Sequence, residues 1–330
     1  MELESPPLQD QFGRVIDYLR VSVTDRCDMR CSYCMPKAFK GFEEPRNWLT
    51  PLELTRLTAL FVGMGVSKVR LTGGEPLLRR NLSDIVSALS ALPGMRDLSL
   101  STNGAHLSHQ AHSLKLAGLQ RLNISLDSLD RATFAAVTHR DCLPDVLRGI
   151  DQAIDAGFDQ IKLNMVVQAG VNDQHVEAML AYAIDKGLTL RLIETMPVGH
   201  ANIGATAVNL TDMVKGMALR LGLAHHTAPL RTGPASYWQV PNTRTLLGVI
   251  TPMSKHFCGD CNRLRLGVDG TLYPCLGHND ATPLGKLMRQ GCSDSELMHA
   301  IRDTVNRKPE RHAFHERPDR IVRFMSATGG

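Results

Sequence analysis

The sequence lacks the features that mark membrane, secreted and nucleic-acid-binding chains. No apolar run approaches the roughly 20 residues that a membrane-spanning helix needs. The acidic segment at residues 1–7 has no apolar core of the kind that a signal peptide carries. A formal net charge of +4 over 330 residues is too small to predict nucleic-acid or membrane binding. We therefore expect a cytoplasmic protein with no nucleic-acid or membrane partner.

The cysteine content does not fit a disulfide framework. Eight cysteines fall into two groups of three and two singletons, Cys142 and Cys292. Because no secretion signal is expected, this clustering favours metal binding over disulfide formation. We expect the two singletons to be unpaired structural thiols.

The first group has the spacing C-x3-C-x2-C, which fits a single loop, and consists of Cys27, Cys31 and Cys34. Thiolates this close in sequence bind zinc or an iron–sulfur cluster. A closed structural zinc site needs four protein ligands, and no fourth Cys or His lies nearby in the sequence. The favoured interpretation is a 4Fe–4S cluster with one open iron, which would be catalytic. The alternatives are a zinc knuckle and a chance grouping of cysteines.

The second group has the spacing C-x2-C-x13-C and consists of Cys258, Cys261 and Cys275. Asp269-Gly270 predicts a hairpin turn that returns the third cysteine toward the first two. One interpretation is a structural zinc site with His256 or His278 as the fourth ligand. The other is a second 4Fe–4S cluster, also with an open iron.

Two arginines lie on the predicted strand between Cys261 and Cys275. Arg263 and Arg265 are two positions apart, so both side chains point to one face of that strand. Two parallel guanidinium groups beside a metal loop suit a multiply charged anion such as a phosphate chain. The alternative is a solvated face of an edge strand.

Strand and helix patterns alternate through the first part of the chain. The predicted strands cover residues 19–23, 68–72, 97–101, 121–126, 160–166 and 189–194. The predicted helices cover residues 51–64, 82–92, 108–117, 144–156 and 173–186. Such alternation implies parallel strands joined by right-handed crossovers. Because polar residues recur at the carboxyl end of every strand, we favour an α/β fold with a partial (β/α)6 barrel over a doubly wound sheet.

These patterns divide the chain into two predicted domains. Residues 1–197 would form the partial barrel, with an arm at residues 1–13 and the first cysteine loop at residues 24–48. Residues 198–330 would form a C-terminal domain with the second cysteine group and a Gly-Gly tail. This domain has predicted helices at residues 211–221 and 293–306 and predicted strands at residues 235–240, 245–250, 262–268 and 271–276.

The combination of motifs resembles the GTP 3′,8-cyclase family, or molybdenum cofactor biosynthesis proteins A, within the radical S-adenosylmethionine (SAM) superfamily. The spacing C-x3-C-x2-C alone is typical of the whole superfamily. Its pairing with C-x2-C-x13-C, the Arg-x-Arg strand and the terminal Gly-Gly is more specific, and the resemblance runs from about Arg14 onward. It implies a lyase of radical SAM barrel type that uses SAM and two 4Fe–4S clusters.

The resemblance implies a role for each matching residue. The first three cysteines would hold the SAM-binding cluster, and the second three would hold a cluster that binds the guanine of GTP. The SAM contacts would be Tyr33, Gly74, Glu75, Ser125 and Met196. The GTP contacts would be Arg20, Arg70, Ser101, Lys162, Arg263, Arg265, Gly329 and Gly330. Arg263 and Arg265 would also be catalytic.

The implied reaction begins when a 5′-deoxyadenosyl radical takes the 3′ hydrogen of the GTP ribose. The ribose radical attacks carbon-8 of guanine. One-electron reduction of the cyclised radical, with protonation by an arginine or by water, then gives (8S)-3′,8-cyclo-7,8-dihydroguanosine 5′-triphosphate for molybdenum cofactor biosynthesis. The family also implies a homodimer, an external one-electron donor and a downstream cyclic pyranopterin monophosphate synthase. Rival interpretations are another radical SAM enzyme with an auxiliary cluster, such as a peptide-modifying maturase, and a non-catalytic zinc or redox protein.

Overall fold

A computed structural model of the chain describes residues 7–35, 47–197, 208–226, 233–255, 257–314 and Met325. Its strands are β1 (Tyr18–Thr24), β2 (Lys68–Gly73), β3 (Asp97–Thr102), β4 (Arg121–Ser125), β5 (Ile161–Val167), β6 (Thr189–Glu194), β7 (Ala224–His225), β8 (Ser236–Gln239), β9 (Leu246–Ile250), β10 (Arg263–Leu266), β11 (Thr271–Tyr273) and β12 (Thr282–Pro283). Its helices are α1 (Pro51–Gly63), α2 (Leu82–Ser90), α3 (Ala111–Leu116), α4 (Arg131–Thr138), α5 (Leu143–Asp155), α6 (Val176–Asp185), α7 (Leu210–Leu221), α8 (Leu284–Arg289) and α9 (Asp294–Asn306).

All of these strands belong to one sheet with the order β12-β11-β10-β1-β2-β3-β4-β5-β6-β9-β8-β7. Neighbours from β1 to β6 pair in parallel, as the alternating sequence pattern predicted. Along β1, Leu19, Val21 and Val23 are fully buried between the sheet and its helices. Parallel strands with helical crossovers bring all six carboxyl ends to the same edge of the sheet. That edge is where a site is expected.

The residues around Thr50 explain why helix α1 begins at Pro51. Thr50 and Glu53 form a capping box: the Thr50 hydroxyl accepts from the Glu53 amide (3.2 Å), and the Glu53 carboxylate accepts from the Thr50 amide (2.8 Å). Leu54, Leu57 and Phe61 recur at helical spacing and are fully buried. The capping box and the buried face therefore confirm the predicted start of this helix.

The C-terminal region extends the barrel sheet at both ends. Strand β10 pairs in parallel with β1, and β9 pairs in parallel with β6. The predicted hairpin is present, since β10 and β11 pair antiparallel around Gly270, which has φ +81°. The two predicted domains therefore share one continuous sheet, although residues 198–207 between them lie outside the described residues.

Several elements differ from the predicted ones, including the short strands β7 and β12, which were not predicted. The helix expected at residues 108–117 is a 3₁₀ turn, Leu107–His109, followed by the short α3. Helices α4 and α8 were not predicted, because each has fewer than nine residues and gives too little periodicity to detect. Among the described residues, no helix is both long and apolar enough to span a membrane.

Candidate active site

A cavity of about 300 Å³ opens at the carboxyl ends of the parallel strands. Both cysteine groups line it, although Cys34 and Cys258 are far apart in the sequence. Among the residues assigned by sequence, those that line it with the six cysteines are Arg20, Tyr33, Gly74, Ser101, Ser125, Met196, Arg263 and Arg265. One cavity therefore brings together residues assigned to SAM and to GTP.

The first cysteine loop is a compact turn fixed to helix α4. The Cys31 carbonyl accepts hydrogen bonds from the amides of Cys34 (2.9 Å) and Met35 (3.0 Å). The amides of Arg30 and Ser32 donate to the carbonyls of Thr138 and Val137 at the end of the helix, both at 2.9 Å. The unpredicted helix α4 thus holds the loop in place.

The thiols of this loop do not ionise readily unless a cation is bound beside them. Burial raises the pKa of Cys27 to about 12, and burial also raises the pKa of Cys34 to about 12. Burial, followed by the nearby Asp127 carboxylate, raises the pKa of Cys31 well above its usual value. Because a bound cation stabilises thiolates, three half-buried thiols in this setting fit a metal group as their counter-charge.

The arrangement of donors weighs against a single zinc ion. Among the residues that the structure describes, no three Cys, His, Asp or Glu side chains converge closely enough to hold one metal ion. A tetrahedral zinc site with Zn–S bonds near 2.3 Å needs sulfur atoms about 3.8 Å apart. An iron–sulfur cubane holds its thiolates around a larger core and therefore does not need them at that separation.

Gly73 and Gly74, at the end of β2, lie close against the chain that enters the cysteine loop. A Cβ atom would lie 2.0 Å from the Thr24 carbonyl oxygen at Gly73, and 2.2 Å from the Arg26 carbonyl oxygen at Gly74. The Gly74 amide donates to the Thr24 carbonyl at 2.9 Å. Glycine is required here by contact with the protein's own backbone, and it also brings this segment to the cavity wall.

Glu75, assigned to SAM by the resemblance, is fully buried. Its carboxylate accepts from the Leu77 amide (2.9 Å), the Thr102 hydroxyl (2.7 Å) and the Asn103 amide (2.6 Å). Burial raises its pKa to about 7 despite these hydrogen bonds. In this structure Glu75 joins the ends of β2 and β3 behind the cavity wall, and its contact with SAM stays a prediction.

Asp127 is a buried site residue that the sequence reasoning did not assign. Its carboxylate accepts from the Tyr33 hydroxyl (2.8 Å) and from the Val166 amide (2.9 Å), and it lines the cavity. Burial raises its pKa to about 6. The only signal in the sequence was its place just after the predicted strand at residues 121–126.

Three of the basic residues assigned to GTP lie in register on neighbouring strands. Arg265 of β10 pairs with Arg20 of β1, and Arg20 pairs with Arg70 of β2. Because residues in register on parallel strands point to the same face, three guanidinium groups share one side of the sheet. A second cavity of about 120 Å³ lies beside them and shares Arg20, Ser101 and Arg263 with the first.

This smaller cavity is strongly basic. Its lining includes the assigned residues Arg70 and Lys162 and the unassigned residues Tyr18 and Arg191. Arg191 alternates with buried leucines on β6, as Lys162 does on β5, so the same argument from a charge inside a strand could have identified it. The one carboxylate in the described lining, Asp97, is paired with Arg121.

The pKa values show how crowded these positive charges are. Burial, together with Arg265, lowers the pKa of Arg20 well below its usual value. Burial and then Arg191, Arg121 and Arg70 lower the pKa of Lys162 to about 7. The Tyr18 hydroxyl and the Arg20 Nε are buried without a well-aligned hydrogen-bond partner among the described residues. An anion in this cavity would relieve the repulsion and supply hydrogen-bond partners.

The second cysteine group has basic surroundings. The Arg263 guanidinium lies 3.8 Å from the Cys261 sulfur. Burial raises the pKa of the Cys261 thiol, but Arg263 and Lys308 outweigh it and lower that pKa to about 6. His278, a candidate zinc ligand, has its Nε2 within 2.9 Å of the Arg311 carbonyl oxygen. His256, Gly329 and Gly330 lie outside the described residues.

The families and relatives that match this chain are consistent with one another over most of its length. The radical SAM superfamily matches residues 21–183, and the Molybdenum Cofactor Synthesis C family matches residues 188–314. A GTP 3′,8-cyclase of Ectopseudomonas mendocina is 45% identical, covering 98% of each chain. The GTP 3′,8-cyclase 2 of Pseudomonas aeruginosa is 42% identical, also covering 98% of each chain.

A solved structure shares the fold of this chain. Streptococcus suis SuiB bound to S-adenosylmethionine superposes with a TM-score of 0.64 at 16% identity, covering 90% of this chain and 68% of SuiB. At this identity the likeness concerns the fold alone. It confirms the predicted α/β fold of radical SAM type.

Proposed function

The chain belongs to the GTP 3′,8-cyclase family of radical SAM proteins, and we propose that it converts GTP to (8S)-3′,8-cyclo-7,8-dihydroguanosine 5′-triphosphate in molybdenum cofactor biosynthesis. The single observation that carries this proposal is the shared cavity. At one end three cysteines lie near carboxylates, and at the other end three cysteines lie beside a group of arginines. The full-length similarity to GTP 3′,8-cyclases supports the same conclusion.

At the first end, Cys27, Cys31 and Cys34 would hold a 4Fe–4S cluster. When bound there, the cluster and SAM would supply a 5′-deoxyadenosyl radical. Tyr33, Gly74, Ser125 and Met196 line the adjoining wall and would position SAM. The buried carboxylate of Asp127 holds the Tyr33 hydroxyl and adds a negative charge facing a positively charged ligand.

At the second end, Cys258, Cys261 and Cys275 would hold the other 4Fe–4S cluster. The triphosphate would occupy the smaller cavity, where Arg20, Arg70, Lys162 and Arg263 supply positive charge together with Arg191. A triphosphate carries about four negative charges at neutral pH, which matches this surplus. Arg265 would contact GTP from the larger cavity, and Ser101, which lines both cavities, would contact the ribose region.

Fixing both ends of GTP orients its ribose toward SAM. Binding the base at the second group and the phosphates in the smaller cavity leaves the sugar between them, facing the first group. Arg263 or Arg265 would donate a proton to the cyclised base, with water as the alternative donor. The tail residues Gly329 and Gly330, the homodimer, the cytoplasmic location, the electron donor and the downstream synthase remain parts of this proposal.

The test is anaerobic incubation of the reconstituted protein with SAM, dithionite and GTP. We expect 5′-deoxyadenosine and the cyclised nucleotide to form together, because the radical reacts with the bound substrate. ATP in place of GTP serves as the control and should give no cyclised product. Absence of both products in protein that holds its clusters would contradict the proposal. If the chain were instead a peptide-modifying enzyme, the formation of 5′-deoxyadenosine would not respond to GTP.

A further inference from the structure

Two buried basic residues lie behind the second cysteine group, and the proposed reaction gives neither a role. Lys308, just after helix α9, is 2% exposed, and Arg14, before β1, is 8% exposed. Long charged side chains are rarely buried without a partner, because removing the charge from water is unfavourable. Their partners therefore indicate their role.

The ammonium group of Lys308 bridges the two sides of the hairpin that carries the second group. Its Nζ donates to the Arg263 carbonyl at 2.9 Å and to the Pro274 carbonyl at 2.6 Å. Pro274 immediately precedes the ligand Cys275, and Arg263 lies two residues after the ligand Cys261. One side chain thus fixes the backbone next to two of the three cysteines.

Lys308 also lacks the carboxylate that a buried ammonium normally has. Among the described residues no Asp or Glu forms an ion pair with it. Burial lowers the pKa of Lys308, and the groups that act in the opposite direction are the sulfur atoms of Cys261 and Cys275, with which it lines the cavity. The missing counter-charge is therefore on the metal group that these thiolates would hold.

Arg14 holds Cys258, the remaining cysteine of the second group, and the segment that follows Lys308. Its Nε lies 2.6 Å from the buried Asp10 carboxylate. Its Nη1 donates to the carbonyls of Cys258 (2.7 Å) and Glu310 (2.9 Å), and its Nη2 donates to that of Pro309 (2.7 Å). The planar guanidinium therefore ties residues 309–310 to the loop of Cys258.

We propose that Lys308 and Arg14 are positioning residues for the second cluster: Lys308 supplies a fixed positive charge, and Arg14 locks Lys308 and Cys258 in place. This inference rests on the second cluster proposed above. Three thiolates around a cubane core of charge +2 leave a net charge of about −1, which becomes about −2 on one-electron reduction. A fixed ammonium group stabilises the more negative form and so raises the reduction potential of this cluster.

The test compares Lys308→Gln, which keeps hydrogen-bond donors without charge, with Arg14→Lys, which keeps the charge beside Asp10. The exposed Lys215→Gln is the matched control. Iron content and the midpoint potential of each cluster are measured by redox titration with electron paramagnetic resonance. SAM cleavage without GTP reports the first cluster in the same molecules.

We expect Lys308→Gln to move only the second cluster to a lower potential, and Arg14→Lys to lose iron from about eight toward four atoms per chain. SAM cleavage and the Lys215→Gln protein should not change. A Lys308→Gln protein with both potentials unaltered would overturn the inference. So would a variant that loses both clusters, since Lys308 would then serve the folding of the whole chain. If the wild-type protein holds only four irons, the second cluster itself is disproved.

Discussion

The two cysteine groups have the same number of thiols but opposite electrostatic surroundings. Near the first, burial, with contributions from Glu75 and Asp28, raises the pKa of Cys27 to about 12. Near the second, Arg263 and Lys308 outweigh burial and lower the pKa of Cys261 to about 6, whereas at Cys275 burial outweighs Lys308 and raises the pKa. Both groups line the same cavity, so this difference in charge lies within a single site.

This contrast distinguishes what each metal group would face. SAM carries a positive sulfonium and a positive ammonium, so carboxylates suit the first group. GTP carries its charge on phosphates, so guanidinium groups suit the second. The spacing of the cysteines indicates the kind of metal group, whereas the charges around them indicate its ligand. Changing one end at a time can therefore test whether the two ends act independently.

Removing one thiol from each group should have the largest effect. We expect Cys31→Ser and Cys261→Ser each to lose one cluster, with iron falling from about eight to about four atoms per chain. Both variants should lose formation of the cyclised nucleotide. Only Cys261→Ser should still cleave SAM to 5′-deoxyadenosine, because its first group is intact.

Iron analysis and product chromatography measure these effects, and Cys142→Ser is the control because Cys142 is buried away from the cavity. Loss of SAM cleavage in Cys261→Ser with four irons retained would show that the two ends are not separable. That result would remove the basis of the comparison.

Neutralising one arginine of the smaller cavity should have the next largest effect. Arg70→Met keeps much of the side-chain volume but removes a charge next to Arg20 in the register. A charge-assisted hydrogen bond contributes about 1.5–3 kcal/mol, so we expect the KM for GTP to rise roughly 10- to 100-fold. SAM binding should not change, because Arg70 does not line the larger cavity among the described residues.

Steady-state kinetics and calorimetric titration with SAM measure the two effects separately. Arg96→Met, at an exposed position before β3, is the matched control. An equal loss of affinity for SAM and GTP in Arg70→Met would mean that the basic residues act on the whole cavity and not on one end.

The sequence predicted those parts of the molecule that depend on local spacing. The six parallel strands, the helix that begins at residue 51 and the hairpin at Gly270 each follow from residues within a few positions of one another. The cysteine groups and the Arg-x-Arg pair also follow from short spacings. The structure then brings both groups to one cavity.

The residues that sequence reasoning missed depend on long-range contacts. Arg14 donates to carbonyl groups 244 and 296 positions away, which no local pattern encodes. Asp127 became a site residue through its contact with Tyr33, 94 positions earlier. Arg191 is different, because its alternation with leucines on β6 was visible but was not weighed. These site residues differ from ordinary surface charges in their strand register and their burial, and residue type alone does not identify them.

Removing the negative charge of Asp127 should have a smaller effect at the first end. Asp127→Asn keeps the size of the side chain but only one of the two oxygens that accept from the Tyr33 hydroxyl and the Val166 amide. At pH 8 the carboxyl is ionised, since burial raises its pKa only to about 6. We expect SAM binding to weaken roughly fivefold, about 1 kcal/mol, with the KM for GTP unchanged. Calorimetry with SAM measures this, and a weaker affinity for GTP alone would contradict the assignment of Asp127 to the SAM end.

Proton uptake by Lys162 should give the smallest signal at the second end. Because burial and the neighbouring arginines lower its pKa to about 7, Lys162 is mostly neutral in the free protein at pH 8. A bound polyanion raises this pKa, so GTP binding should take up close to one proton at pH 8, and affinity should fall as pH rises above 7. At pH 6 the lysine already carries its proton, so uptake by Lys162 should be small.

Calorimetry at pH 8 in buffers of different ionisation enthalpy counts the protons that are taken up. Lys162→Met should abolish this uptake, while Lys115→Met should preserve it. An uptake that persists in Lys162→Met would assign the proton to the phosphates or to another group, and Lys162 would then not sense the charge of GTP.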